Sequence, residues 1–133
     1  AAAAFAAMLA LGWLFKLLGI ENPIWARGGR APIALIPLMR AASAATGYGE
    51  ELFFRAYLLR RLGQAGLPPA GAVAISTIVF AGAHGAQGAA GLAAAGVLGL
   101  AFALRFSRGR DLHEIALGHA AYNAAVFLAE LYS

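Results

Sequence analysis

Two neighbouring carboxylates, Glu50 and Glu51, stand midway between Arg40 and Arg60, in a stretch whose only other charge is Arg55. At ~1.5 Å per helical residue those flanking arginines lie roughly 30 Å apart, so they reach opposite faces of a bilayer and leave the carboxylates near its midplane. Charge is costly there, and an ionisable group retained inside a span is a functional group by default. Arg55, four residues after Glu51, has the spacing of a same-face ion pair. It compensates Glu51 and leaves Glu50 available. The plain structural alternative is an ion-pair network that only fixes the helix orientation.

His84 follows Phe80 by one helical turn, and His119 precedes Asn123 by one. Each pair shares a helix face. Either could be ordinary interior bonding, His84 to a neighbouring carbonyl and His119 with Asn123 as interhelical glue. Counted from the side of Arg60 and Pro69, Glu50 is roughly 15 Å deep, His84 about 22 Å, His119 about 12 Å and Asn123 about 18 Å. A carboxylate pair, two imidazoles and an amide in one layer supply a general base, a proton-sharing partner and donors for an oxyanion. His113, beside the arginine-rich turn and Glu114, is expected to be solvated surface. Ser43, Ser76 and Thr77 are set aside as nucleophiles, because hydroxyls in membrane helices more often bond their own backbone. The sequence has no Gly-x-Ser-x-Gly, phosphate-loop or His-Glu-x-x-His motif and no cysteine.

The elements that must carry these groups are helices in lipid. Of 133 residues, 62% are hydrophobic and 12% charged, and Leu62 to Leu104 contains no Asp, Glu, Lys or Arg over 43 residues, about twice a bilayer span. The chain is therefore expected to be all-α, a polytopic transmembrane bundle of about five helices, since lipid admits only helices or closed barrels and no strand-like alternation is present. The segments are Ala2 to Ile20, Pro37 to Leu62, Pro69 to Gly85, Gly88 to Phe106 and Leu112 to Leu131. Residues 1–36 are expected to form a first membrane helix and interfacial loop, and 37–133 the core with the chemistry. Pro69 suits a helix start, Asp111 a cap on the final helix, and Gly85 to Gly88 a break in the uncharged run. The net charge of +4 collects at segment ends, which argues for interfacial anchoring and against nucleic acid. Arg60, Arg61, Arg105, Arg108 and Arg110 against Lys16, Arg27, Arg30 and Arg40 lean toward placing the former set in the cytoplasm. With no initial Met and no signal-peptide pattern, the sequence is read as a trimmed core.

Glu50-Glu51-Leu52-Phe53-Phe54-Arg55, Phe80-Ala81-Gly82-Ala83-His84 and His119-Ala120-Ala121-Tyr122-Asn123 resemble the Glu-Glu-x-x-x-Arg, Phe-x-x-x-His and His-x-x-x-Asn motifs of the CPBP family. This family groups CAAX prenyl endopeptidases with bacteriocin-processing and abortive-infection proteins. The resemblance covers about Pro37 to Leu131 and implies an integral protein of a bacterial or archaeal cell membrane. It further implies an intramembrane endopeptidase acting on a peptide or protein substrate, lipid-modified in the prenyl-cleaving members. It assigns water activation to Glu50 and His84, oxyanion binding to His119 and Asn123, and support to Glu51 and Arg55. No cofactor is implied. Zinc held by Glu50, His84 and His119 is the less favoured alternative, because Glu50 would have to be both ligand and base. Gly88 stands where some CAAX-cleaving members carry Asn or another polar residue, a departure that bears on prenyl-protein specificity more than on hydrolysis. The chain is also shorter than full CAAX-protease members. A non-catalytic immunity or sorting factor of the same family and a proton-coupled transporter are the competing functions.

Overall fold

A computed structural model describes residues 17–19 and 36–131. The segment Ala2 to Ile20, apart from 17–19, and the Glu21 to Arg30 break lie outside the described residues. The other four segments all appear as helices, and among the described residues there is no strand. A first long helix runs as α1 (Ile36–Glu51), a π-helical stretch (Leu52–Leu59) and α2 (Arg60–Gln64). Next come α3 (Pro69–Ala83), a 3-10 turn (Gly85–Gln87), α4 (Gly88–Gly109) and α5 (Leu112–Leu131). The helical run Gly85–Gly109, the 3-10 turn together with α4, is long and apolar enough to cross a membrane, with mean hydropathy 1.8, and α3 is a shorter apolar helix. The expected count of about five spans thus stands at one such helix among the described residues.

The breaks have local causes. Pro69 opens α3, where a missing N–H costs nothing. Gly66 and Gly88 take positive φ, +89° and +76°, and let the chain reverse at the two ends of α3. Asp111 caps α5 by accepting the Glu114 N–H at 3.0 Å. The last break is narrower than Ser107 to Asp111, because α4 continues to Gly109 and leaves Arg110 and Asp111 between the helices, Arg110 at φ +54° with its N–H on the Phe106 carbonyl. Arg105 then grips Glu114 through both carboxylate oxygens, tying the end of α4 to the start of α5.

The bundle is organised as two close pairs, α1 on α5 and α3 on α4, with the π-helical stretch touching α3, α4 and α5. The α1–α5 approach depends on Gly47, where a Cβ would come within 3.1 Å of the Ala120 nitrogen and 3.6 Å of the His119 carbonyl carbon. Close backbone contact through small residues is the ordinary means of helix association in lipid. One apolar cluster, including Leu59, Val73, Leu98, Phe102, Phe106 and Ile115, fills the bundle on the side of Arg60. A smaller cluster of Phe54, Phe80 and Ala95 lies apart from it. Phe80 is the floor on which the polar groups rest.

Candidate active site

Glu50 and Glu51 end α1, where it passes into the π-helical stretch, and they diverge in environment. Glu51 is fully buried and Glu50 is 26% exposed. The Glu51 carboxylate is engaged on both oxygens: Oε2 lies 3.1 Å from Arg55 Nε, and Oε1 accepts the His119 Nδ1 proton at 2.8 Å. The expected pair with Arg55 is present, and Glu51 also orients His119, a role the sequence reading missed. Arg55, likewise fully buried, donates from Nη2 to the Gly99 carbonyl at 3.0 Å. Its guanidinium carbon stands 4.3 Å from the Phe80 ring centroid, a cation–π contact inside the bundle.

The histidines occupy matching positions. His84 ends α3, and its Nδ1 lies 2.8 Å from the Phe80 carbonyl, which only accepts, so Nδ1 carries the proton. Bonding to a neighbouring carbonyl, weighed above as the alternative to function, is therefore real and fixes the tautomer of this ring. For His119 the acceptor is Glu51, a carboxylate held against an arginine, so its Nδ1 is protonated by the same reasoning. Both rings then turn Nε2 toward Glu50 Oε2, at 3.9 Å for His84 and 3.6 Å for His119. Packing holds the rings: Phe80 lies 4.6 Å from His84 and 5.9 Å from His119, and Phe102 lies 5.7 Å from His119, centroid to centroid.

Three acceptor atoms on three helices thus converge in one place: Glu50 Oε2, His84 Nε2 and His119 Nε2. Oε2 is buried and has no hydrogen-bond partner among the described residues. Both Nε2 distances exceed a hydrogen bond, and one water at ordinary hydrogen-bond length from both ends of either gap would subtend roughly a right angle. Such a set attracts a proton donor or a cation. Among the described residues no group of three His, Asp or Glu is disposed to hold a metal ion.

Asn123 lies one turn beyond His119, half-buried. No hydrogen bond ties its amide to the described residues. His113 is exposed, as expected, and is also bonded to Tyr48, Oη to Nδ1 at 3.1 Å. Ser76 departs from expectation: its buried hydroxyl donates at 2.9 Å to the Phe54 carbonyl in the π-helical stretch, across helices and not to its own backbone. Thr77 Oγ1 is buried without a partner among the described residues, and Ser43 is half-buried. Gly88 is a conformational residue here, its positive φ starting α4 after the 3-10 turn.

Phe102 and Gly99 are the supporting residues with no signal in the sequence. Both lie on α4, which carries no site residue by type; one supplies a ring face and the other a backbone carbonyl. No curated protein and no solved structure matches the chain. Residues 32–125, however, match the family described as type II CAAX prenyl endopeptidase, Rce1-like, a span that contains every group in the site. The chain belongs to this family of membrane-integral proteases.

Proposed function

We propose that the chain is the catalytic core of an intramembrane endopeptidase, hydrolysing a peptide bond of a membrane-associated protein or peptide with a glutamate-activated water. The observation that carries this reading is the convergence of Glu50 Oε2 with the two Nε2 atoms, each histidine having its tautomer set by a bond on its far side. A water there donates one hydrogen to Glu50 and the other to His84 Nε2. Glu50 takes the proton as the oxygen attacks the scissile carbonyl, and returns it to the departing amine. With a proton on each ring nitrogen, His119 donates from Nε2. With the Asn123 amide it then faces the oxyanion. Lipid is the solvent, and a lipid-modified substrate fits the family. A bacterial or archaeal cell membrane is the proposed location.

The test is turnover of a membrane-tethered peptide by purified Glu50→Gln protein whose helicity and elution match the parent. Removing a general base typically costs ~10²- to 10⁴-fold, and full cleavage by that variant overturns the assignment. The proposed reaction uses no metal. Elemental analysis of active enzyme, with chelation and zinc add-back, checks it: near-stoichiometric zinc, with activity following the metal, makes Glu50, His84 and His119 ligands instead.

A further inference from the structure

A cavity lies against the larger apolar cluster, in a part of the molecule the proposed chemistry does not use. Its volume is about 560 Å³, and its lining includes Arg60, Gln64, Ser107 and Arg110 over an apolar base of Leu59 and Ala72. The size is that of a small-molecule site. Three chain ends meet here: α2, the start of α3 and the turn after α4. In a bundle spanning a membrane, such a level is that of the lipid headgroups.

The two arginines are held alike. The guanidinium carbons of Arg60 and Arg110 lie 5.8 and 5.9 Å from the ring centroid of Phe106, which is itself buried. The positive φ at Arg110 ends α4 and leaves this side chain beside the ring instead of on the helix barrel. Arg55 and Arg105 are taken up by Glu51 and Glu114, whereas neither Arg60 nor Arg110 has an ion-pair partner among the described residues. The other charges nearby do not neutralise the pair. Asp111 accepts the Glu114 N–H and forms no ion pair with either arginine among the described residues, and Arg61 bonds Gln64 Oε1 at 3.1 Å and adds positive charge. Two guanidinium groups without an ion-pair partner among the described residues, both beside one aromatic ring at the edge of a cavity, form a receptor for an anionic phosphate ester. The Ser107 hydroxyl on the wall already donates to the Ala103 carbonyl.

We propose that the cavity lined by Arg60, Gln64, Ser107 and Arg110 binds an anionic phosphate group, the guanidinium groups of Arg60 and Arg110 holding its oxygens. The inference rests on the family placement in the membrane and not on the hydrolytic mechanism. Phosphate of this charge has two sources, the headgroup of an anionic lipid or a soluble phosphate ester. Basic pockets between helix ends commonly take lipid headgroups.

The test uses the full chain in neutral detergent, with native mass spectrometry as the readout. Dioleoylphosphatidylglycerol, dioleoylphosphatidylcholine and glycerol 3-phosphate are the probes. Phosphatidylglycerol is expected to be retained over phosphatidylcholine by the parent and by Arg61→Gln/Arg108→Gln, which removes the same charge outside the cavity lining. Arg60→Gln/Arg110→Gln is expected to weaken retention about tenfold or more, the loss of charge-assisted hydrogen bonds. Binding of glycerol 3-phosphate alone, with the same dependence on Arg60 and Arg110, supports the site and assigns it to a soluble ester. Retention that falls equally in both double variants overturns the proposal, as does a parent that retains none of the three probes. Should the double glutamine variant fail to fold, Arg110→Gln against Arg108→Gln carries the same comparison at the end of α4.

Discussion

His119 shows how much of the site depends on what lies behind each group. Its Nδ1 is committed to Glu51 and its ring is wedged between Phe80 and Phe102, so Nε2 has a single direction to face. Asn123 shares the helix face one turn on, and the two are proposed to act as one oxyanion-binding unit. His119→Ala and Asn123→Ala should then each lower kcat by ~10²- to 10³-fold, and the double variant should be little worse than the poorer single one. Multiplicative losses with KM rising in proportion would make them substrate contacts instead. Arg55 is expected to behave differently. It is fully buried against Glu51, and its removal leaves an uncompensated carboxylate at a cost of about 3–5 kcal/mol. Arg55→Ala should therefore be lost in expression and thermal-stability measurements before any kinetic effect is read. Arg55→Lys keeps the charge but loses the fork that reaches both Glu51 and Gly99, and should fall in between.

The helices set the site through two close approaches that the residue types alone do not announce. At Gly99 a Cβ would stand 2.8 Å from the Phe80 ring and 3.4 Å from Arg55 Nη2. Gly99→Ala therefore pushes on the residue whose carbonyl fixes His84 and on the cation that holds Glu51. Overpacking of this kind costs about 1–3 kcal/mol, and turnover is expected to fall further than stability. Gly96→Ala, whose Cβ would meet only Ala81 at 4.0 Å, is the control and should match the parent in both melting temperature and kcat. The difference between these two glycines explains what the sequence could and could not disclose. The motif residues Glu50, Glu51, Arg55, His84 and His119 were legible because each is an ionisable group within a long apolar stretch, where lipid makes charge conspicuous. Their supports were not: Gly99 contributes a carbonyl and Phe102 a ring face, and both types are ordinary in an apolar helix. Helix starts and stops at Pro69, Gly88 and Asp111 were legible for local reasons. The π-helical stretch was not, because Leu52–Leu59 has the composition of any apolar helix and its widened turn is set by contacts with three other helices. Ser76, which donates into that stretch, belongs to the same tertiary cause.

Taken as a whole, the bundle puts its polar centre where the reaction is sheltered but not sealed. Glu51 and Arg55 are closed off, while Glu50 and His84 remain 26% and 19% exposed. A cavity of about 420 Å³ lined by Gly49, Leu52, Phe53, Ala56 and Tyr57 borders the same turns of helix that carry Glu50. Leu52, Phe53 and Tyr57 are each more than half exposed, and Phe53 stacks on Tyr57 at 5.8 Å between centroids. In water such a surface would be an aggregation hazard, whereas in lipid it is an ordinary outward face. On the proposed function, this face is the route by which a substrate resident in the membrane would reach Glu50 without crossing a polar barrier. Gly49 is the place to test that route, because a Cβ there meets nothing within 4 Å and the helix tolerates a larger residue on that side. Gly49→Trp is expected to leave helicity and melting temperature close to the parent and to raise KM for a membrane-tethered peptide. A short water-soluble peptide carrying the same scissile bond should show a smaller change, since it need not travel along the lipid face. Equal impairment for both substrates would place the obstruction at Glu50 itself, and no change for either would move the route to another side of the bundle.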